Sequence, residues 1–229
     1  WDHLGRDPKL KGDQIFNGAS DNAIGVAMLL EVAQSLARSP AASRPKRSVL
    51  FLSVTTEEGG LLGSRYYAKN PLYPLSRTVA NLNTDGANFL GRTRDVNIIG
   101  YGASTLDDVA YAVARSQGRI VRPDTAPEKG RYYRSDHFEL AKVGVPALYP
   151  KRGVDYIGKP EGWGVKMEAD YDLTDYHKVT DDVKPDWTCE GGAQDAEFMA
   201  EVIRRVANDP KWPEWRPGNE LKARRDRSE

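Results

Sequence analysis

Residues 48–64 read SVLFLSVTTEEGGLLGS, and this stretch decides the fold class. Its first seven residues form a short apolar run rich in β-branched and aromatic side chains, as expected of a strand buried in a mostly parallel sheet. Two adjacent carboxylates, Glu57 and Glu58, follow at once, and GLLGSRYYAKN beyond them has helical spacing. A strand at residues 48–54 running into a helix predicts an α/β chain.

The pattern extends in both directions. Upstream, SDNAIGVAMLLEVAQSLARS predicts a helix over about residues 22–38, with Ser20 or Asp21 in cap position and Ser39-Pro40 at its exit. Downstream, TVANLNTD and DVNIIG read as strands, and STLDDVAYAVARSQG as a helix ending at Gly118. SDHFELAKVG reads as a helix capped by Ser135, VPALY as a strand, residues 151–172 as a Gly-rich surface loop, and residues 189–206 as the last long helix. Strands alternating with helices predict a three-layer α/β/α sandwich around a mostly parallel, mixed central sheet. A chain of 229 residues suits one such domain, residues 1–208, followed by a charged Trp- and Pro-containing tail, residues 209–229, that packs its Trp rings and leaves its basic end in water.

Composition removes several function classes. Lys plus Arg and Asp plus Glu are equal at 33 each, so no global field favours nucleic acid or an anionic membrane. One cysteine, Cys189, excludes an internal disulfide framework and a cysteine-built zinc site. No apolar run has the length of a membrane span, and the opening WDHLGRDPKLKGD lacks the apolar core of a signal peptide. A start at Trp without Met predicts that the natural N-terminus lies upstream.

Chemistry collects where strands end. Asp21 opens a helix, Glu57 and Glu58 follow one strand, and Asp85 closes another; in open α/β sheets ligand sites gather at the carboxyl ends of strands. Each alone is ordinary: a cap, a solvated loop, a turn former. Together, without obvious basic partners, they would repel, and a cation would remove the conflict. His177, in DYHKVTDD, adds an imidazole flanked by carboxylates, and mixed imidazole and carboxylate donors suit zinc better than calcium or magnesium.

The ordered motifs GASDNAIGVAMLLEVAQSLA, RSVLFLSVTTEEGGLLGS, NLNTD, SDHFELAKVGVPAL and YHKVTDD resemble metallopeptidase family 28 from residue 1 to about residue 207. The family includes bacterial leucyl aminopeptidases, glutamate carboxypeptidase, glutaminyl cyclases and the transferrin receptor ectodomain. The resemblance implies a zinc-exopeptidase fold and two zinc ions bridged by Asp21, with Glu58 and His177 completing one site and Asp85 the other. Glu57 would be the general base, which explains the adjacent glutamates: neighbours at a strand exit point in different directions, one to metal and one to the attacking water. The family's His-x-Asp pattern maps its aspartate, which orients a ligand histidine, onto Asp2, so that histidine is expected just before Trp1. His3 follows Asp2 and does not inherit the role. Asp136 is expected beside the site or on its substrate side, His137 is expected to be structural, and Tyr132, Tyr133 and Arg134 are loop candidates for substrate contact.

The implied activity is an aminopeptidase acting on peptides. A glutaminyl cyclase-like acyltransferase, a carboxypeptidase for acidic dipeptides using Arg134, Lys151 and Arg152, and a non-catalytic binding domain are the alternatives. Many bacterial relatives are exported, so the resemblance implies a periplasmic or secreted location.

Overall fold

A computed structural model describes residues 3–225. The expected role of Asp2 lies outside the described residues. The chain opens with a small hairpin, β1 (Gly5–Arg6) antiparallel to β2 (Ile15–Phe16). It then enters α1 (Ile24–Ala37), α2 (Leu62–Lys69), β3 (Asn81–Leu82) and β4 (Asp95–Ile99). Next come α3 (Leu106–Ser116), β5 (Ile120–Pro123), α4 (His137–Lys142), β6 (Ala147–Lys151), α5 (Trp163–Thr174) and α6 (Cys189–Asn208).

The main sheet has strand order β3-β6-β4-β5, with β3–β6 and β4–β5 parallel and β4–β6 antiparallel. Strand alternation splits the side chains between two cores. Val96, Ile98 and Leu148 face the main core, built with α1, α3 and α6, where Met28, Val113, Phe198 and Val202 are buried. Ala147 faces the opposite side, against Ala141 of α4, Trp215 and Leu221, and Tyr67 of α2 packs with Leu140 and Val145 there. Helices therefore cover both faces of a mixed sheet.

Four elements differ from expectation. Residues 48–54 are extended but form no ladder among the described residues. Val49 and Phe51 pack on the main core, yet this segment does not pair with residues 79–84, and the two line a cleft of about 860 Å³ between them. Apolar character set the burial; a ladder also needs a strand within bonding distance, which composition does not report. The turn after this segment is fixed by Gly63, where a Cβ would lie 2.4 Å from the Thr55 carbonyl oxygen.

Residues 151–172 are not all loop, since α5 starts after Gly162, whose φ is +77°. The first long helix is entered through a wide turn at Ala19–Ala23, and Asn22, not Ser20 or Asp21, accepts the Gly25 amide at 3.1 Å. Ser135 does not cap α4 either; its hydroxyl is committed to Asp85.

In the tail, Trp215 is buried and donates from Nε1 to the Gly144 carbonyl at 2.8 Å, while the Arg225 guanidinium lies 5.1 Å above Trp212. Among the described residues no helix is long and apolar enough to cross a membrane.

Candidate metal and catalytic site

The turn carrying Asp21 is held from both sides. Ser20 and Asp21 donate their amides to the buried Asp181 carboxylate at 3.0 and 3.1 Å. Asn22 reaches across, donating to the Thr84 carbonyl at 3.1 Å and accepting the Gly86 amide at 2.8 Å. The segment bearing Asp85 is thereby tied to the segment bearing Asp21.

Four donors converge at this junction. His3 Nδ1 is 3.0 Å from Glu58 Oε1; His177 Nε2 is 3.1 Å from the same oxygen and 3.2 Å from Asp21 Oδ2. His3, Asp21 and Glu58 each offer an atom within 4.8 Å of the others. His3 Nε2 is buried without a hydrogen-bond partner among the described residues, and His177 Nε2, although close to both carboxylates, is not aligned to hydrogen-bond either. The His177 ring is stacked on Tyr176 at 3.8 Å, which holds it in place.

Asp85 lines the same cavity but lies outside the group formed by His3, Asp21 and Glu58. It accepts hydrogen bonds from Tyr149 (2.7 Å) and Ser135 (2.9 Å). Burial pushes its carboxyl up, but the Lys151 charge and these two hydroxyls outweigh it, and Asp85 ends below the usual carboxylate range.

The remaining carboxyls feel the opposite balance. Burial, with the charges of Asp85 and Glu58, raises Asp21 to about 6. Burial, then Asp85, Glu58, Asp136 and Asp21, raises Glu57 to about 8. Glu58 is pushed up by burial yet ends lowered, because His3 and His177 hold its ionised form. Two adjacent glutamates are thus driven apart in acidity, the arrangement that separates a proton carrier from a charge-holding ligand.

The cavity has a volume of about 320 Å³ and is lined by Asp21, Glu57, Glu58 and Asp85 together with Arg134, Lys151, Arg152 and Tyr171. Asp136 precedes α4 and lines the larger cleft, close enough for its charge to contribute to raising Glu57. Tyr133 is exposed and packs edge-on against Phe138 at 5.1 Å, and Tyr132 packs against His137 at 4.8 Å. His137 is wholly buried, and burial lowers its imidazole to about 4.

Two supports of the site, Asp181 and Tyr149, have no role in the sequence reading, and Ser135 has only that of a helix cap. The doubled Asp of VTDD was the available signal for Asp181; nothing local marks Tyr149 or Ser135. It also left His3 outside the donor group where the structure puts it.

Comparison with known proteins agrees with the fold and the motifs. The sequence profile of peptidase family M28 matches residues 1–200. The chain belongs to peptidase family M28. Aminopeptidase NAALADL1 of Mus musculus is 38% identical over 84 residues, covering 35% of this chain and 11% of the relative. A vacuolar membrane protease of Coccidioides posadasii is 32% identical over 111 residues, covering 43% of this chain and 11% of the relative. Each match spans only about a tenth of the relative's length.

Among solved structures, the aminopeptidase from Aneurinibacillus sp. strain AM-1 superposes with a TM-score of 0.56 at 21% identity, covering 88% of this chain and 40% of that one. The Legionella pneumophila LapA aminopeptidase gives 0.63 at 15% identity, covering 88% and 50%. At these identities the likeness establishes the zinc-exopeptidase fold of this M28 chain.

Proposed function

We propose that this M28 chain is a zinc-dependent exopeptidase, an aminopeptidase that removes N-terminal residues from peptides. The observation that carries the reading is the pairing of Glu57, with its carboxyl raised to about 8, with the imidazole and carboxylate donors His3, Asp21, Glu58 and His177. Nitrogen and oxygen donors with orphaned imidazole nitrogens suit zinc. Asp21, Glu58 and His177 would hold one ion, and Asp85 with Asp21 would take part in holding a second. Bound zinc supplies Lewis acidity for the carbonyl and acidifies water.

The chain's own groups do the rest. Glu57 accepts the proton of the attacking water and returns it to the leaving amine. A cation among Asp21, Glu58 and Asp85 would offset the repulsion that raises Glu57, leaving it ionised and ready as a base near neutral pH. Tyr149 and Ser135 keep Asp85 oriented, and Asp181 keeps the Asp21 turn in place. A location outside the cytosol belongs to the same proposal.

The test is zinc content per chain together with hydrolysis of aminoacyl p-nitroanilides, for the chain and for Glu57→Gln. The reading expects about two zinc ions in both and a loss of kcat of about 10²- to 10⁴-fold in the variant. Full activity in Glu57→Gln would remove its role as base, and activity that survives complete removal of metal would remove the zinc-dependent mechanism.

A further inference from the structure

Between β5 and α4 the chain forms a surface segment, residues 125–131, in which no residue is buried. Its backbone hydrogen bonds are short-range: Lys129 donates to the Ala126 carbonyl, Gly130 to the Pro127 carbonyl and Ala126 to the Asp124 carboxylate, each at 3.0 Å. Tyr132 ends the segment, its ring seated on Gly100, where a Cβ would lie 2.3 Å from it, and on His137 at 4.8 Å. Among the described residues, the hydrogen bonds and ion pairs that join residues 125–131 to a distant part of the chain both go to α5. Lys129 Nζ meets Asp172 Oδ2 at 3.2 Å, and Arg131 Nη2 meets Glu168 Oε1 at 3.3 Å. All four side chains belong to residues lining the cavity that holds Glu57, so the two pairs close one of its walls.

The α5 side of this wall is anchored. At Gly164 a Cβ would sit 2.2 Å from the Val154 carbonyl oxygen, Trp163 packs edge-on to Tyr156 at 5.1 Å, and the Tyr171 ring lies 5.2 Å from the Arg152 guanidinium. Among the described residues, no ring contact or buried side chain anchors residues 125–131 in the same way. The side chains of Lys129 and Asp172 are 52% and 41% exposed, those of Arg131 and Glu168 19% each. An ion pair open to water is worth a few-fold in an equilibrium constant, and salt weakens it. Two such pairs hold a segment without freezing it.

We propose that residues 125–131 form a lid on the cavity, latched to α5 by these two pairs, and that the latch must release for a peptide to enter. This rests on the peptidase reading of the same cavity and adds its regulation, since access then rises with ionic strength. Segments that close over reaction sites come from the least stable parts of a fold, and a site that is open for a fraction of the time binds in proportion to that fraction.

Trypsin reads the latch directly, because its target bonds Lys129–Gly130 and Arg131–Tyr132 lie in the segment and are cut in proportion to the open population. The variants Glu168→Gln, Asp172→Asn and the two combined change the α5 side and keep both target bonds. Zinc-loaded proteins are digested at about 20 and about 500 mM NaCl, the cut bonds are assigned by mass spectrometry, and rates are divided by trypsin's turnover of a small ester at the same salt. Each single variant should speed cleavage at these bonds by about 2- to 5-fold and the double variant by about 5- to 20-fold at low salt, with zinc content and thermal midpoint unchanged. Salt should speed cleavage of the unmodified chain and leave the double variant nearly as it was. With Leu-p-nitroanilide, kcat/KM of the double variant should exceed that of the unmodified chain at low salt, and their ratio should fall toward one as salt is added. Cleavage at the two bonds that neither the double variant nor salt speeds overturns the lid. Faster cleavage with an unchanged kcat/KM ratio overturns the gating of access. If zinc-loaded protein cleaves no peptide, the peptidase reading falls, and the digestion still decides whether the segment is a latched lid.

Discussion

Asp181 accepts the backbone amide of Asp21 at 3.1 Å, so the residue central to the metal-type donor group is positioned by a carboxylate 160 residues further along the chain. The same carboxylate takes the Ser20 amide, and the Tyr171 hydroxyl donates to it at 3.3 Å. The Asp181 carbonyl in turn accepts the Ala19 amide at 3.0 Å. Asp181→Ala would leave the buried Ser20 amide and the half-buried Asp21 amide without an acceptor. We expect a stability loss of about 2–4 kcal/mol by urea unfolding. Zinc affinity, measured by competition with a chromophoric chelator, should fall by about 10- to 100-fold. Unchanged affinity would mean that the turn keeps Asp21 in place without this support.

Asp21 itself should trade stability for binding. Its carboxyl is raised to about 6 in the folded chain, from an ordinary value near 3.8, chiefly by burial and then by Asp85 and Glu58. A raised carboxyl means that the folded state binds more protons than the unfolded one between these values. Metal-free stability therefore falls as pH rises from about 4 to 6, and the cost, up to about 3 kcal/mol, stays in place above that. Asp21→Asn should make chelator-treated protein more stable at pH 7.5. After zinc is added, the order should reverse, because the unmodified chain gains a ligand that the variant binds poorly.

The sequence makes the candidate site residues easier to read than their setting. Asp21, Glu57, Glu58, Asp85 and His177 sit in ordered local motifs, and all except His177 are among the residues lining one cavity; His177 meets Asp21 and Glu58 directly. What local pattern cannot carry is contact across the chain. The apolar run at residues 48–54 looks like a central strand, but pairing is a property of two segments, and the spacing of one says nothing about the other. Ser135 has the composition of a helix cap and serves Asp85 instead, because a hydroxyl at a helix start has more than one acceptor in reach once the sheet is assembled.

His137 should make the fold acid-sensitive. It sits between Tyr132 and Tyr149, with ring centres 4.8 Å from each, and burial lowers it to about 4 despite the opposing charge of Asp85. In the unfolded chain an imidazole titrates near 6.5, so between about 6.5 and 4 the unfolded state binds the extra proton. Stability present above pH 6.5 is lost as pH falls through this window, by at most about 3 kcal/mol. His137→Gln removes the titrating group and should flatten this part of the curve. Denaturation midpoints from pH 4 to 8, compared between the two proteins, isolate the effect because every other titrating side chain is shared. Parallel curves would show that His137 does not titrate with folding.

Arg119 offers a control that separates fold from chemistry. Its guanidinium is buried and donates to the Asp95 carbonyl from Nε at 3.1 Å and from Nη2 at 2.7 Å. Nη2 also reaches Thr93 Oγ1 at 3.0 Å and Asp195 Oδ1 at 2.9 Å. Asp195 Oδ2 accepts both the backbone amide and the side-chain amide of Asn88, at 3.1 and 2.8 Å. The network thus joins the α3–β5 turn, β4 and α6 beneath the sheet. Burial pushes the Asp195 carboxyl up, and the Arg119 charge opposes it. Arg119→Met would leave that carboxylate buried and unpaired, at a cost of about 3–5 kcal/mol. In the double variant Arg119→Met, Asp195→Leu the stranded charge is gone, and part of the stability should return. Neither variant touches the cavity that holds Glu57, so KM and kcat measured well below the unfolding temperature should stay within about twofold of the original chain. A large change in kcat at full folding would mean that this buried pair also positions the site.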